Sequence, residues 1–285
     1  VPRFLFEFRH VDSFHGGVNS LLQTAWEPVT PRGVAAFARA SYSRLWFAQF
    51  GVALLVAGAV VWLLWGGLYP TVRAAIRQLP EVGEIRDAKL DWRGTSPVLL
   101  AEGSFIAFSV DLNHSADIRS PADFQIEFGK EAVLIHSLLG YLDWPYANGW
   151  RMVFNRPELE PKWGAWEIPI VGLVALAVIL WLYVAWSVLA TVYALPLWLV
   201  CFFTNRDLTL AGCWRLASAA LLPGAIVMAV TILLYYLGVL DLLVLGSVGI
   251  GHLVVGWIYL FLSPMFLPRL AETATATNPF AEEKK

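Results

Sequence analysis

Charge is what this sequence has least of. Asp, Glu, Lys and Arg make up 15% of its 285 residues, against about 25% in soluble domains. Four stretches contain none at all: Leu45–Val72, Ile168–Phe203, Leu216–Leu240 and Leu242–Pro268. A bilayer core ~30 Å thick is crossed by about 20 apolar residues in a helix, and each stretch exceeds that. Cysteine is nearly missing too. Cys201 and Cys213 are the only two, and none falls between residues 71 and 166, so that region must fold on its apolar core without a disulfide framework. No Walker motif, nucleophile elbow, H-E-x-x-H or C-x-x-C is present. A net charge of −2 excludes the electrostatic footprint of a nucleic-acid binder. The expected fold class is membrane α-helical: a four-span bundle with a small antiparallel β domain inserted between spans 1 and 2.

Where the few charges lie predicts orientation. Arg3, Arg9, Arg32, Arg39 and Arg44 precede the first span, Arg206 and Arg215 separate the second from the third, and Arg269, Lys284 and Lys285 follow the last. The connection between spans three and four carries only Asp241. By the positive-inside rule both termini are cytoplasmic and residues 71–166 lie outside. Arg and acidic residues interrupt the N-terminal apolar clusters, so the first span is expected to act as its own export signal.

The expected organisation is a cytoplasmic amphipathic arm (1–44), span 1 (45–70), a β-rich extracytoplasmic domain (71–166), a three-span bundle (167–268) with an interfacial segment at 196–217, and a cytoplasmic tail (269–285). Phe4, Phe6, Phe8, Phe14 and Trp26 make the arm oily. Thr30-Pro31 is a helix start, with Thr as N-cap and Pro in the first turn. Val34, Phe37, Ala38, Tyr42 and Leu45 then recur at helical spacing. Such an arm lies on the membrane surface or docks onto the protein's own cytoplasmic face. The 36 apolar residues from Ile168 are too many for one crossing, and Pro196 predicts a break before a separate piece, Leu197–Phe203. Pro223 is expected to kink or break span 3.

In the β region, Phe124, Ile126 and Phe128 alternate with Gln125 and Glu127. Gly129-Lys130 reads as a two-residue turn leading back through Glu131–His136. A second pairing joins Pro97–Ala101 to Ser104–Leu112, with Ile106, Phe108 and Val110 on one face. Met152–Phe154 adds a strand before a Pro157–Pro161 linker. A domain of this size is expected to enclose no deep pocket.

His252, inside span 4, is the leading candidate site residue, because an ionisable group within a span is functional by default. It shares a helix face with Gly249, Gly256 and Tyr259, and the glycines clear space for a neighbouring helix or for a planar pigment or haem. Ser247 and Gly251 form a small-xxx-small pair suited to helix contact. Asp111, His114 and Asp117 offer ligand types that Zn or Mn accepts, and serve equally well as turn formers. The glycines of 246–256 fail the G-x-G-x-x-G register, because Val254 stands at the last position. No cofactor is expected.

Leu79-Pro80-Glu81-Val82 through Lys89-Leu90, Phe108–Asp111 with the Phe124–Ile135 hairpin, and Leu208–Pro223 (LTLAGCWRLASAALLP) resemble an uncharacterised bacterial polytopic membrane-protein family. That family combines one N-terminal span, a small extracytoplasmic β domain and a Yip-type helical bundle. The resemblance implies topology and no activity. The missing motifs and the 14 Trp residues point to a non-enzymatic accessory or scaffold subunit, whose partners are the lipid bilayer and other membrane-protein subunits, since Trp is enriched where proteins meet. A transporter, with His252 and Asp241 as polar handles, is one alternative. A pigment- or haem-associated subunit using His252 is another.

Overall fold

The computed structural model describes residues 27–115 and 117–269. Four helices are long and apolar enough to cross a membrane: Tyr42–Arg77, Arg156–Phe203, Leu210–Tyr236 and Leu242–Phe266. The first comprises α2 (Tyr42–Leu63), a π-helical turn (Leu64–Leu68) and α3 (Tyr69–Arg77). A short α1 (Pro31–Ala36) precedes it. The second is the unbroken α4 (Arg156–Phe203). The third divides at Leu221 into α5 (Leu210–Ala220) and α6 (Leu222–Tyr236), where Pro223 falls in the first turn and needs no intrahelical partner for its missing N–H. The fourth is α7 (Leu242–Leu262) with a 3₁₀ turn after it.

Two expectations fail on α4. Neither the break at Pro196 nor the linker Pro157–Pro161 exists, so residues 196–203 are the last turns of α4 and not a separate piece. Pro157 sits where first-turn N–H groups are free, while neighbouring helices and local adjustment let a spanning helix carry Pro161, Pro169 and Pro196 in its interior.

The chain forms two compact units, Val1–Ala53 with Leu180–Met228 and Gly249–Lys285, and Leu54–Ile179 with Ala229–Val248. In the first, a core of Leu45, Ala190, Leu197, Cys201, Cys213 and Leu216 is joined by Val34, Phe37 and Ala38. Of the two readings of the arm, the described part fits docking. Thr30 accepts from Gly33 N at 3.0 Å as N-cap, Arg215 donates to Ala38 O at 2.8 Å, and Tyr259 donates to Val29 O at 2.6 Å. The aromatic residues Phe4–Trp26 and the tail beyond Arg269 lie outside the described residues. Gln49, which hydropathy hides within span 1, donates to Ser218 Oγ at 2.8 Å in the same core.

The second unit carries the β domain. Strands β1 (Gly83–Arg86), β2 (Lys89–Trp92) and β8 (Arg151–Val153) form one sheet in the order β2-β1-β8. Strands β3 (Val98–Glu102), β4 (Ile106–Val110), β5 (Phe124–Phe128), β6 (Ala132–Ser137) and β7 (Gly140–Pro145) form the other in sequence order. The hairpins expected at 97–112 and 124–136 are present. The turn of the second shifts by one residue to Lys130-Glu131, because Gly129 N donates to Ala132 O. The domain is not wholly antiparallel, since β4 and β5 pair in parallel. Parallel neighbours need a crossover of about a dozen residues, and 111–123 supplies it without a helix. Ile85, Leu90, Val110 and Phe154 form the domain core. Tyr146 joins them, donating to Gly129 O at 3.1 Å; burial pushes its phenol above the ordinary tyrosine range.

Candidate functional site

The crossover 111–123 lies over one face of β4 and β5 and buries the polar side of β5. Gln125 and Glu127 are its buried residues, while Phe124 is exposed. Gln125 Nε2 donates to Ile118 O and to Ser109 Oγ, both at 3.0 Å, and Ser120 N donates back to Gln125 Oε1 at 3.0 Å. Glu127, 4% exposed, stands between two imidazoles. His114 Nδ1 of the crossover lies 2.8 Å from its Oε1, and His136 Nε2 of β6 lies 3.5 Å from its Oε2. A buried carboxylate is costly unless its lone pairs are satisfied, and here both oxygens face a potential N–H donor.

Asp111 starts the crossover as a turn former, accepting from Asn113 N at 3.1 Å and from Ser115 Oγ at 2.7 Å. His114 adopts a left-handed backbone (φ 52°), and a Cβ at Gly129 would collide with its ring. The trio Asp111, His114 and Asp117 does not converge. Asp111 holds the loop and His114 turns to Glu127. Among the described residues no group of three His, Cys, Asp or Glu is arranged to hold a metal.

The domain carries a half-open cavity of about 520 Å³, lined by the crossover (Ile118, Arg119, Ser120, Ala122), by Gln125, Glu127 and His136, and by the β6–β7 hairpin (Ser137, Leu138, Gly140, Tyr141). Its polar groups suit a small ligand with hydrogen-bond acceptors. Both serine hydroxyls are committed elsewhere: Ser120 Oγ donates to Glu102 at 2.9 Å, and Ser137 Oγ donates to Gly140 O at 3.3 Å. Neither bond involves a histidine. Sequence reading did not single out Glu127 and His136, because they meet His114 only through the pairing of β5 with β6 and the fold of the crossover. The one available signal was two polar residues, Gln125 and Glu127, at alternate positions on the same face as Ser109 and Ala107 of β4.

His252 sits in a different environment. Its Nδ1 lies 2.7 Å from Gly249 O one turn back on its own helix. Its backbone carbonyl faces α6 at a glycine that the sequence did not single out. A Cβ at Gly224 would come within 2.6 Å of His252 O. Gly256 packs on Leu221, where a Cβ would meet Cδ2 at 3.2 Å, and Gly249 lies near Met228. At the other pair, a Cβ at Gly251 would meet no atom of this chain within 4 Å, and Ser247 Oγ donates to Leu243 O of its own helix at 2.7 Å. Asp241 likewise is occupied as the cap of α7, accepting from Val244 N at 2.8 Å. No family model matches the chain, and neither does any curated protein or solved structure.

Proposed function

We propose that this chain is a non-enzymatic integral membrane protein of the bacterial cytoplasmic membrane, an accessory or scaffold subunit that docks a partner's spanning helix. Its termini are cytoplasmic and its β domain is outside, as the basic residues dictate. The observation that carries the reading is an open aromatic groove of about 450 Å³ along the start of α2, lined by Tyr42, Ser43, Trp46, Phe47, Phe50 and Tyr183. Trp46 is 57% and Phe47 78% exposed. Tyr183 is held in place by its hydroxyl on Trp46 O at 3.0 Å, with the two rings 5.5 Å apart. Fixed aromatic side chains around a groove are the kind of surface that interface cores favour. A lipid chain needs only apolar area, whereas a helix ridge gains from a preformed groove. Support also comes from α4, whose most apolar 18-residue window has 0% of its residues buried. The family resemblance at 79–90, 108–135 and 208–223 belongs to the same proposal and adds the topology alone.

Purification from native membranes in mild detergent, followed by mass spectrometry, tests the reading. The expected result is a co-migrating spanning protein that is lost from a Trp46→Ala, Phe47→Ala chain while the chain itself still purifies folded. A monodisperse particle holding a single chain overturns the proposal.

A further inference from the structure

We infer that the tip of the β6–β7 hairpin, Leu138-Leu139, inserts into the lipid interface of the chain's own bilayer and gives the β domain an attachment beside α3 and α4. The inference rests on the membrane-spanning reading of the helices and not on any partner.

Strand register places the tip. Glu102 pairs with Ala107, Ile106 with Phe124, Phe124 with Ser137, and Ser137 with Gly140. All of these lie at one end of the five-stranded sheet. That end is anchored on the helices. Phe105, just before β4, rests against Tyr235 with ring centroids 4.9 Å apart and stacks on Tyr236 at 6.3 Å. Its ring also covers Gly67, where a Cβ would meet it at 2.8 Å. Asp123, just before β5, accepts from the Tyr235 hydroxyl. Tyr235 and Tyr236 close α6; Trp62 meets the Tyr236 ring, and Trp65, Tyr69 and Trp163 follow one another in ring contact. Such rings mark the boundary between headgroups and acyl chains. With strands ~4.8 Å apart, the hairpin stands about 14 Å to the side of β4 and turns at the same end of the sheet.

The turn's composition points the same way. A two-residue hairpin turn in water favours Asn, Asp and Gly. Here the turn residues are Leu138 and Leu139, 62% and 82% exposed, followed by Gly140 at φ 126° and by Tyr141 at 75% exposure. Two leucines at the apex and a tyrosine one step behind have the polarity gradient of an interfacial anchor. Leu138, Gly140 and Tyr141 also wall the Glu127 cavity, so an inserted hairpin holds that cavity at headgroup height.

The test uses the full chain in lipid nanodiscs with Leu139→Cys carrying an environment-sensitive dye. Cys201 and Cys213 are buried, so the labelled wild-type chain serves as background, and Lys130→Cys marks the opposite end of the sheet. The expected result at position 139 is blue-shifted emission, protection from iodide and quenching by lipid-borne quenchers, all lost on Leu138→Asp. Position 130 should show water-like emission. Iodide quenching at 139 equal to that at 130 overturns the inference. So does a blue shift without lipid quenching, which means that protein covers the tip. Emission indifferent to Leu138→Asp overturns it too, because the dye and not the hairpin then seeks lipid.

Discussion

Gly224→Val should destabilise the packing of α6 on α7 by about 2–3 kcal/mol, the upper range for forcing extra atoms into a packed site. The new Cβ would lie 2.6 Å from the His252 carbonyl oxygen. That oxygen is backbone, so relief requires moving a helix and not a side chain. At Gly256 the nearest atom is the end of the Leu221 side chain at 3.2 Å, and Gly256→Ala should be correspondingly milder. His252→Asn should cost only about 0.6 kcal/mol, the mean worth of a polar contact within a membrane bundle. An amide retains a donor that reaches Gly249 O. Thermal unfolding in detergent ranks the three variants. If Gly224→Val unfolds with the wild type while His252→Asn does not, the imidazole and not the close backbone approach holds this pair of helices together.

That ranking shows which parts of the molecule hydropathy makes legible. The four apolar runs can be read directly because a bilayer imposes a length and forbids charge. What each run does at its ends is less legible. Pro196 would break a helix in water, yet α4 passes through it to Phe203. Conversely, Gly224 looks like an incidental neighbour of Pro223 until the His252 carbonyl is found against it. Periodicity named one helix of the contact, through Gly249 and Gly256, and left its partner glycine on α6 unnamed. Gln49 was illegible for another reason: a single amide does not interrupt a hydropathy window, and only its partner Ser218 gives it meaning.

In the β domain the same limit decides the candidate site. Alternation located β5 without saying which face the crossover covers, and Gln125 and Glu127 are the pair it buries. Alternation carries a period and no sign. The sign is set by the crossover 111–123, which covers the polar face because β4 and β5 run parallel. A connection with neither helix nor strand leaves no periodic trace. His114 in the crossover, Glu127 in β5 and His136 in β6 meet only through that topology. Asp111, His114 and Asp117 show the complementary case. Those residues are close in sequence, but the turn that brings them close uses Asp111 to bind its own backbone and hydroxyl groups.

Glu127→Leu should therefore loosen the crossover first and the rest of the molecule little. The substitution removes the acceptor that ties His114 to the sheet and leaves two imidazoles facing an apolar side chain. Breaking a sealed ion pair costs about 3–5 kcal/mol. Here the histidine side chains are 38% and 41% exposed, so water replaces part of the loss. An unsatisfied polar group costs about 1–3 kcal/mol, and that range is the one expected. Local opening then rises by tenfold or more, since each ~1.4 kcal/mol is a factor of ten, provided the segment opens apart from the global transition. Arg119 is an exposed tryptic site within the crossover, so its cleavage rate in the detergent-solubilised full chain reads the opening directly. Glu127→Gln keeps the shape and one acceptor and should fall between wild type and Glu127→Leu. Equal cleavage of all three would mean that the hydrogen bonds from Gln125 to Ile118 and Ser120 hold the crossover alone. The two histidines would then be free to serve whatever enters the cavity.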